Sequence, residues 1–245
     1  MKKRWIPIIF VLLILVVALS ACDTGTGVVT SQPATDAPAV TSSAPGTATE
    51  APPVAVGTLD DYVKTAKEAA QSFGNGSTTV FRLPEILLDS ADASSANSEI
   101  MSRFGDDCKE YDDYSPVISL DYEAYLNDTV LSVMIVGKFD GGNSYGLCYS
   151  FDVTTGSRLN NETLCSLTGR DYNNALDTFR TNLTSYYDEK YATMPGNDEM
   201  REKTLSDDNI NSGAMYLGST GKLVVMADIY AAVGGGHWVD TISAE

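Results

Sequence analysis

Residues 126–159 read LNDTVLSVMIVGKFDGGNSYGLCYSFDVTTGSRL, and this stretch decides the fold. The pair Asn127-Asp128 is typical of a tight turn and separates two strand-like segments, residues 120–126 and 130–138. Turn residues between two such segments predict an antiparallel hairpin. After a glycine-rich turn, apolar and aromatic side chains alternate with small or polar ones over residues 145–153. This two-residue period predicts a third strand.

Helical spacing dominates on both sides of these strands. Behind Thr58, with Asp61 as a capping-box-like partner, apolar residues recur at helical intervals, which predicts a helix that ends at Gly74. The other predicted elements are a strand at 78–88 interrupted by Pro84, helices at 91–104 and 171–191, a polar and mobile loop at 194–211, and a closing hairpin of 214–217 and 222–231. Helices and hairpins segregate rather than alternate, so we predict an α+β fold: an antiparallel sheet with helices packed on one face.

The N-terminus has the order of a secretory signal peptide. A basic start, Lys2-Lys3-Arg4, is followed by an almost wholly apolar run and then by Leu19-Ser20-Ala21-Cys22. The cysteine indicates the bacterial lipoprotein kind, because its thiol can accept a diacylglycerol before the peptidase cleaves in front of it. We therefore predict a lipoprotein signal peptide over residues 1–21 and lipidation of Cys22.

An uncleaved signal anchor is the alternative interpretation of this run. Residues 6–21 would form a helix of about 24 Å, whereas a bilayer core of about 30 Å needs about 20 residues. The run is therefore short for a membrane span. In both interpretations the rest of the chain faces outward, because basic residues stay on the cytoplasmic side. The predicted location is the extracytoplasmic face of the cell membrane.

Two further regions follow the predicted signal peptide. Residues 22–57 are rich in Thr, Ser, Pro, Ala and Gly and contain no aromatic and no basic residue. Such a segment cannot bury enough apolar surface to offset its ordering entropy. We predict a disordered tether with an average reach of about 30 Å. The remaining 188 residues, 58–245, are enough for one well-cored domain.

The chain is strongly acidic, with 33 acidic against 16 basic residues and a net charge of −17. Loss of residues 1–21 removes three basic residues and no acid, so the mature charge is −20. Such a charge repels nucleic acid and anionic lipid headgroups. We expect no nucleic-acid partner, and membrane contact only through the lipid on Cys22. Cationic proteins, cationic peptides, metal ions and neutral glycans are compatible partners, although the acids can also serve solubility alone.

Three cysteines remain once Cys22 is lipidated: Cys108, Cys148 and Cys165. An odd number allows at most one internal disulfide. Cys148 with Cys165 is the preferred pair, because the two flank one predicted strand-to-helix connection. The alternative is that all three are small buried hydrophobic residues. Without a CxxC motif or a Cys/His cluster, we expect no structural zinc site and no cofactor.

His237 is the only histidine and lies within Gly234-Gly235-Gly236-His237-Trp238. Three glycines allow close approach of a ligand to the backbone, and Trp238 could stack on a sugar ring, so His237 and Trp238 are the candidate ligand-binding residues. The alternative is a turn after a core strand with Trp238 packed inward. Because GxSxG and HExxH motifs are absent, we predict no catalytic residues and no enzyme activity. The acids of residues 106–113 lack EF-hand spacing and are expected to form a solvated loop rather than a calcium site.

Residues 126–159 also carry a family resemblance. A strand with Leu-Ser-Val, a Gly-Gly turn and a strand ending in Phe-Asp-x-x-Thr-Gly resemble the extracellular domain of the RsiV anti-sigma factor family, a domain that also precedes some polysaccharide deacetylases. The likeness extends through the predicted helix at 171–191, the LPEI at 83–86 and a looser match at 223–238, over most of residues 80–242. It implies the fold and, because the RsiV domain binds lysozyme, a cationic lysozyme-like partner. Only four residues precede the apolar run, so we expect no sigma-binding segment.

These observations predict a membrane-anchored extracytoplasmic lipoprotein with a ligand-binding or sensor-like domain. Its expected ligand is a cationic lysozyme-like protein or a cell-wall component such as a wall glycan. The alternative is an accessory cell-wall glycan-modifying enzyme, which requires converging acids or His237 in a cleft.

Overall fold

A computed structural model describes residues 56–191, 193–232 and 236–245. The predicted signal peptide, Cys22 and nearly all of the predicted tether lie outside these residues. No helix in the described part of the chain is long and apolar enough to cross a membrane.

Nine strands and five α-helices follow a short 3-10 turn at Leu59–Asp61 in this part of the chain. The strands are β1 (Val63–Ser72), β2 (Thr78–Ile86), β3 (Val117–Asn127), β4 (Val130–Phe139), β5 (Ser144–Asp152), β6 (Ser157–Leu159), β7 (Ala214–Leu217), β8 (Leu223–Tyr230) and β9 (His237–Ser243). The helices are α1 (Ala91–Phe104), α2 (Asn161–Leu167), α3 (Tyr172–Tyr191), α4 (Asp198–Thr204) and α5 (Asp207–Ser212).

The strands form three antiparallel sheets, which confirms the predicted α+β class. The first sheet is β1-β2, the second is β3-β4-β5-β6, and the third is β7-β8-β9. The predicted hairpin at Asn127-Asp128 is present: Asn127 pairs with Val130, and Asp128 adopts a φ of 50° in the turn. A short polar side chain tolerates this left-handed conformation better than most.

The second sheet is buried on both faces, as β4 shows. Residues 130–135 are six consecutive buried residues. Leu131, Val133 and Ile135 face a core formed with α1 and the first sheet. Met134, on the opposite face, contacts residues of the third sheet, including Met226. Because both faces are covered, β4 is a nearly continuous apolar run.

The outer face of each large sheet carries helices. Helix α1 begins at the cap Ser90, whose hydroxyl accepts the Ala93 N–H at 3.1 Å, and it buries one face against the second sheet. Helix α3 packs Phe179 and Leu183 against Val225 and neighbouring residues of the third sheet. Each large sheet therefore has helices on one face and the other sheet on its second face.

Small residues of β5 form the contact between the two large sheets, which we call the seam. Ser144, Gly146, Cys148 and Ser150 alternate with the larger side chains that face α1. The Ser144 hydroxyl accepts the backbone N–H of Val239 in β9 at 3.0 Å. The Ser150 hydroxyl donates to the backbone carbonyl of Met215 in β7 at 3.3 Å.

A hydroxyl of β4 completes this pattern. Ser132 is buried, and its Oγ accepts the Leu217 N–H of β7 at 3.1 Å. Backbone groups at the edges of the third sheet are thus bonded by side chains of the second sheet. A buried backbone group without such a partner would destabilise the fold.

The predicted helix over residues 58–74 is wrong, because this segment is strand β1. β1 pairs with β2 from Val63↔Ile86 to Ser72↔Thr78, around a turn in which Gly76 has a φ of 83°. Its alanines and lysines favour a helix when considered alone. The apolar side chains of β2 require a partner strand, and this tertiary pairing overrides the local preference.

The predicted mobile loop at 194–211 is also wrong, because it holds α4 and α5. The Ser206 hydroxyl accepts the Asn209 N–H at 3.3 Å and caps α5. The Thr204 hydroxyl bonds both the N–H and the carbonyl of Tyr230, at 2.9 and 3.1 Å. Thr204 and the buried Ile210 therefore anchor this polar segment to β8.

The predicted Cys148–Cys165 disulfide is wrong as well. Cys108, Cys148 and Cys165 are buried free thiols. Cys148 lies in the seam, whereas Cys165 belongs to the core beneath the third sheet, with its Sγ 3.8 Å from the Met215 sulfur. The alternative of three small buried hydrophobic residues is confirmed.

The seam should not accept a larger residue at position 146. A Cβ at Gly146 would lie 2.4 Å from the Met226 sulfur and 3.3 Å from the Ile135 carbonyl oxygen. We expect Gly146→Val to lower the free energy of unfolding by about 1–3 kcal/mol through overpacking, measured by denaturant titration.

The matched control is Gly74→Val, because a Cβ at Gly74 meets nothing within 4 Å. Adding Met226→Ala to Gly146→Val should restore part of the lost stability. Equal stability of the two glycine variants would contradict close packing at the seam.

Candidate functional site

The candidate residues His237 and Trp238 begin β9, and the strand places them on opposite faces. His237 is on the side of the aromatic rings of Tyr145 and Tyr230. Trp238 is on the side of α3, where its ring lies 5.4 Å from the ring of Tyr191. Successive side chains of a strand point in opposite directions. The two residues therefore do not form one binding surface.

His237 is built into the packing of the sheets. Its ring lies between those of Tyr145 and Tyr230, with centroids 5.0 and 4.9 Å away, and its Nε2 is 3.0 Å from an oxygen of Asp228. Only 18% of the side chain is exposed. Within the described residues, no serine or cysteine side chain hydrogen-bonds to it. The arrangement joins β9 to β5 and β8.

Two cations lie over the tyrosines that flank His237. The Arg103 guanidinium is 4.7 Å from the Tyr145 ring centroid, and the Lys203 ammonium is 3.7 Å from that of Tyr230. Each contact is a favourable cation–π interaction. Each tyrosine ring beside His237 therefore already contacts a cation of this chain.

Trp238 lines a surface hollow of about 360 Å³ together with Ile118, Phe139 and Asp240. A neighbouring hollow of about 300 Å³ is lined by Asp113, Tyr114 and Asp140 and also by Ile118. We call the two together the Ile118 groove, defined by Asp113, Tyr114, Ile118, Asp140, Trp238 and Asp240.

Exposed apolar and aromatic surface distinguishes the Ile118 groove. Tyr114 is 63% exposed and Ile118 is 49% exposed, although both are large side chains. The groove also contains three carboxylates and one cation, Lys138. Aromatic and aliphatic surface beside carboxylates is suited to a cationic side chain with an apolar stem.

Two of the groove carboxylates, those of Asp140 and Asp240, accept hydrogen bonds from tyrosine hydroxyls. Asp140 accepts the Tyr114 hydroxyl and also the Gly141 N–H, and these bonds lower the pKa of Asp140. Asp240 accepts the Tyr186 hydroxyl and lies 3.8 Å from the Lys190 ammonium. Burial, together with the bond to Asp240, raises the pKa of Tyr186 to about 12.

The acidic loop at 106–113 is largely exposed, as its composition predicts. The loop is attached to β1 by Gln71, because the Gln71 Oε1 accepts the Tyr111 N–H at 2.8 Å. Partial burial raises the pKa of Asp107. Among the residues that the structure describes, no three His, Cys, Asp or Glu side chains come together to hold a metal ion. Of the acids in this loop, only Asp113 lines the Ile118 groove.

Sequence reasoning identified Trp238 but missed its neighbours in the groove. Tyr114 and Asp140 are 26 positions apart, and Asp240 is a further 100 positions along the chain. The sequence does predict the turn at 140–143. The contact of Asp140 with Tyr114, however, depends on how β3 and β4 pair.

The comparisons with known proteins do not assign a family. No family model matches the chain, and none of the curated proteins matches it. The resemblance to the RsiV extracellular domain therefore stays a prediction from residues 126–159.

The pairing of Tyr114 with Asp140 predicts a measurable pKa change. We expect Tyr114→Phe to raise the pKa of Asp140, because the charged carboxylate loses a donor. The pKa of Asp140 is lowered in the folded protein, so its contribution to stability is present above its unfolded pKa and is lost as the pH falls through the folded value. Titration of the Asp140 carboxyl carbon by NMR measures the change.

Tyr125→Phe is the control, because Tyr125 donates to Glu123 instead. It should leave the Asp140 titration unchanged. An Asp140 pKa that is the same in Tyr114→Phe and in the wild type would show that the hydroxyl does not stabilise this charge.

Proposed function

We propose that this chain is an extracytoplasmic lipoprotein, anchored through Cys22, whose domain binds a cationic lysozyme-like protein at the Ile118 groove. The observation that carries the proposal is the groove itself, in which exposed Tyr114 and Ile118 lie beside the carboxylates of Asp113 and Asp140. The apolar surface supplies contact area and the carboxylates select positive charge.

The charge distribution of the domain supports a cationic partner. Residues 56–245 contain 30 of the 33 acids and 13 of the 16 basic residues, a net charge of −17. Seven of those basic side chains are already paired with carboxylates. The excess negative charge is therefore not neutralised within the domain, and it should attract a cationic protein over about a Debye length.

The groove also explains why the partner should be a protein. Its two hollows share Ile118 and extend from Trp238 to Tyr114, a form that suits a protruding loop with lysine or arginine side chains. Tyrosine and tryptophan are enriched at the energetically important positions of protein interfaces.

Binding of hen-type lysozyme to the full chain in detergent tests the proposal. We expect binding at about 0.05 M salt that weakens at least about tenfold at about 0.5 M salt, because the attraction is electrostatic. The double variant Asp113→Asn with Asp140→Asn should weaken binding by about tenfold at low salt. Surface plasmon resonance measures both effects.

Glu189→Gln with Glu199→Gln is the matched control, because it removes the same charge from exposed acids that do not line the groove. It should change affinity less than about twofold. Equal losses in the two double variants would place the attraction in the overall charge rather than in the groove. Absence of lysozyme binding at low salt would refute the proposed partner.

The proposed anchor makes a separate prediction. We expect Cys22→Ala to abolish incorporation of a fatty-acid probe and to release the protein from the membrane fraction. Metabolic labelling followed by fractionation measures both, since acylation needs this one sulfur.

Cys108→Ala serves as the control, because Cys108 is a buried thiol of the domain and should not affect labelling. Labelling of Cys22→Ala at the wild-type level, or recovery of the wild type from the cytosol, would overturn the anchor.

A further inference from the structure

A cleft of the described domain lies at the other end of β5 from the Ile118 groove. It has a volume of about 680 Å³, within the range of small-molecule sites. Strand β5 runs from Ser144, which lines the groove, to Ser150, which lines the cleft, a distance of about 20 Å in an extended strand. The charged and amide side chains of the cleft are Asp92, Arg158, Asn160, Asn161 and Glu162.

Asn161 fixes the walls of this cleft. Its amide donates to the Gly213 carbonyl at 2.8 Å, and its amide oxygen accepts the Met215 N–H at 2.9 Å. The Ser150 hydroxyl donates to the Met215 carbonyl from the floor. Helix α2, strand β7 and strand β5 are therefore held together around the opening, so the cleft exists before any ligand binds.

The Arg158 guanidinium lines the cleft and keeps its hydrogen-bond donors free, although it forms a long ion pair with Glu99. The guanidinium lies 4.6 Å from the ring centroid of Tyr149, which supports one of its faces. Its nearest carboxylate, that of Glu99, is 3.7 Å away, beyond hydrogen-bonding distance. Among the described residues, the guanidinium donates no hydrogen bond. A planar fork of this kind is suited to bidentate binding of a carboxylate.

Negative groups lie in the same cleft. The Glu162 side chain is exposed and forms no hydrogen bond or ion pair with any described residue. Asp92 accepts the backbone N–H of Arg158 at 2.8 Å, which uses one of its oxygens. The hydroxyl of Tyr172 likewise has no hydrogen-bond partner within the described part of the chain.

We propose that this cleft binds a short peptide with free termini, its carboxylate on Arg158 and its ammonium on Glu162 and Asp92. Charges of both signs line one cleft, so a zwitterion satisfies both. A neutral sugar would leave the charges of both signs without an ionic partner, and a simple anion would be repelled by the two carboxylates. The inference concerns a different site from the Ile118 groove and does not depend on lysozyme binding.

Calorimetry on the full chain in detergent tests this inference with tetra-alanine as the probe. We expect the free peptide to bind, and amidation of its C-terminus or acetylation of its N-terminus to weaken binding at least about tenfold each. Arg158→Gln should weaken binding of the free peptide to the level of the amidated one, yet leave the amidated peptide unaffected. Glu162→Gln should weaken binding of the free peptide to the level of the acetylated one, yet leave the acetylated peptide unaffected.

The control variant is Arg180→Gln, since Arg180 pairs with Asp207 on the surface and does not line the cleft. It should bind tetra-alanine as the wild type does. A misfolded variant would lose binding of the free and the amidated peptide together, whereas Arg158→Gln is expected to affect the free peptide alone. Failure of tetra-alanine to bind, binding that is insensitive to amidation, or tighter binding of an N-acetylglucosamine trimer would overturn the proposal.

Discussion

The close approach of the two large sheets is the constraint on which the rest of this structure depends. It is possible because β5 offers only small side chains on one face, from Ser144 through Gly146 and Cys148 to Ser150. A hydroxyl can both fit into a narrow space and bond a backbone group. The edge strands β7 and β9 have no partner strand on one side, and the serines bond backbone groups there instead. With apolar residues of the same size, the sheets could still approach, but backbone groups of β7 and β9 would be buried without partners.

The same strand connects the two proposed binding sites. β5 contacts β7 near its C-terminal end and β9 near its N-terminal end. Ser144 lines the Ile118 groove, and Ser150 lines the cleft that we propose to bind a peptide. The two proposed sites thus belong to one structural unit, although they differ in chemistry. One is acidic and aromatic, whereas the other carries charges of both signs.

The parts of the fold with a strong local signal could be predicted from the sequence. The hairpin at Asn127-Asp128 follows from its turn residues, and α1 follows from periodicity between Ser90 and Gly105. Strand β1 could not be predicted in this way, because its alanines and lysines satisfy a helix until the apolar residues of β2 are considered. The groove was only partly visible for a related reason: Trp238 is conspicuous by residue type, whereas Tyr114 and Asp140 acquire meaning only from the register of β3 and β4.

Burial of Cys148 between the sheets has a consequence for how the molecule can be probed. Burial raises the pKa of this thiol, so the reactive thiolate is scarce in the folded protein. Cys148 is 8% exposed and lines the cleft of about 680 Å³, so a sulfhydryl reagent can approach it from that side. The rate of alkylation at this position therefore reports access through the cleft, and it does so without any added denaturant.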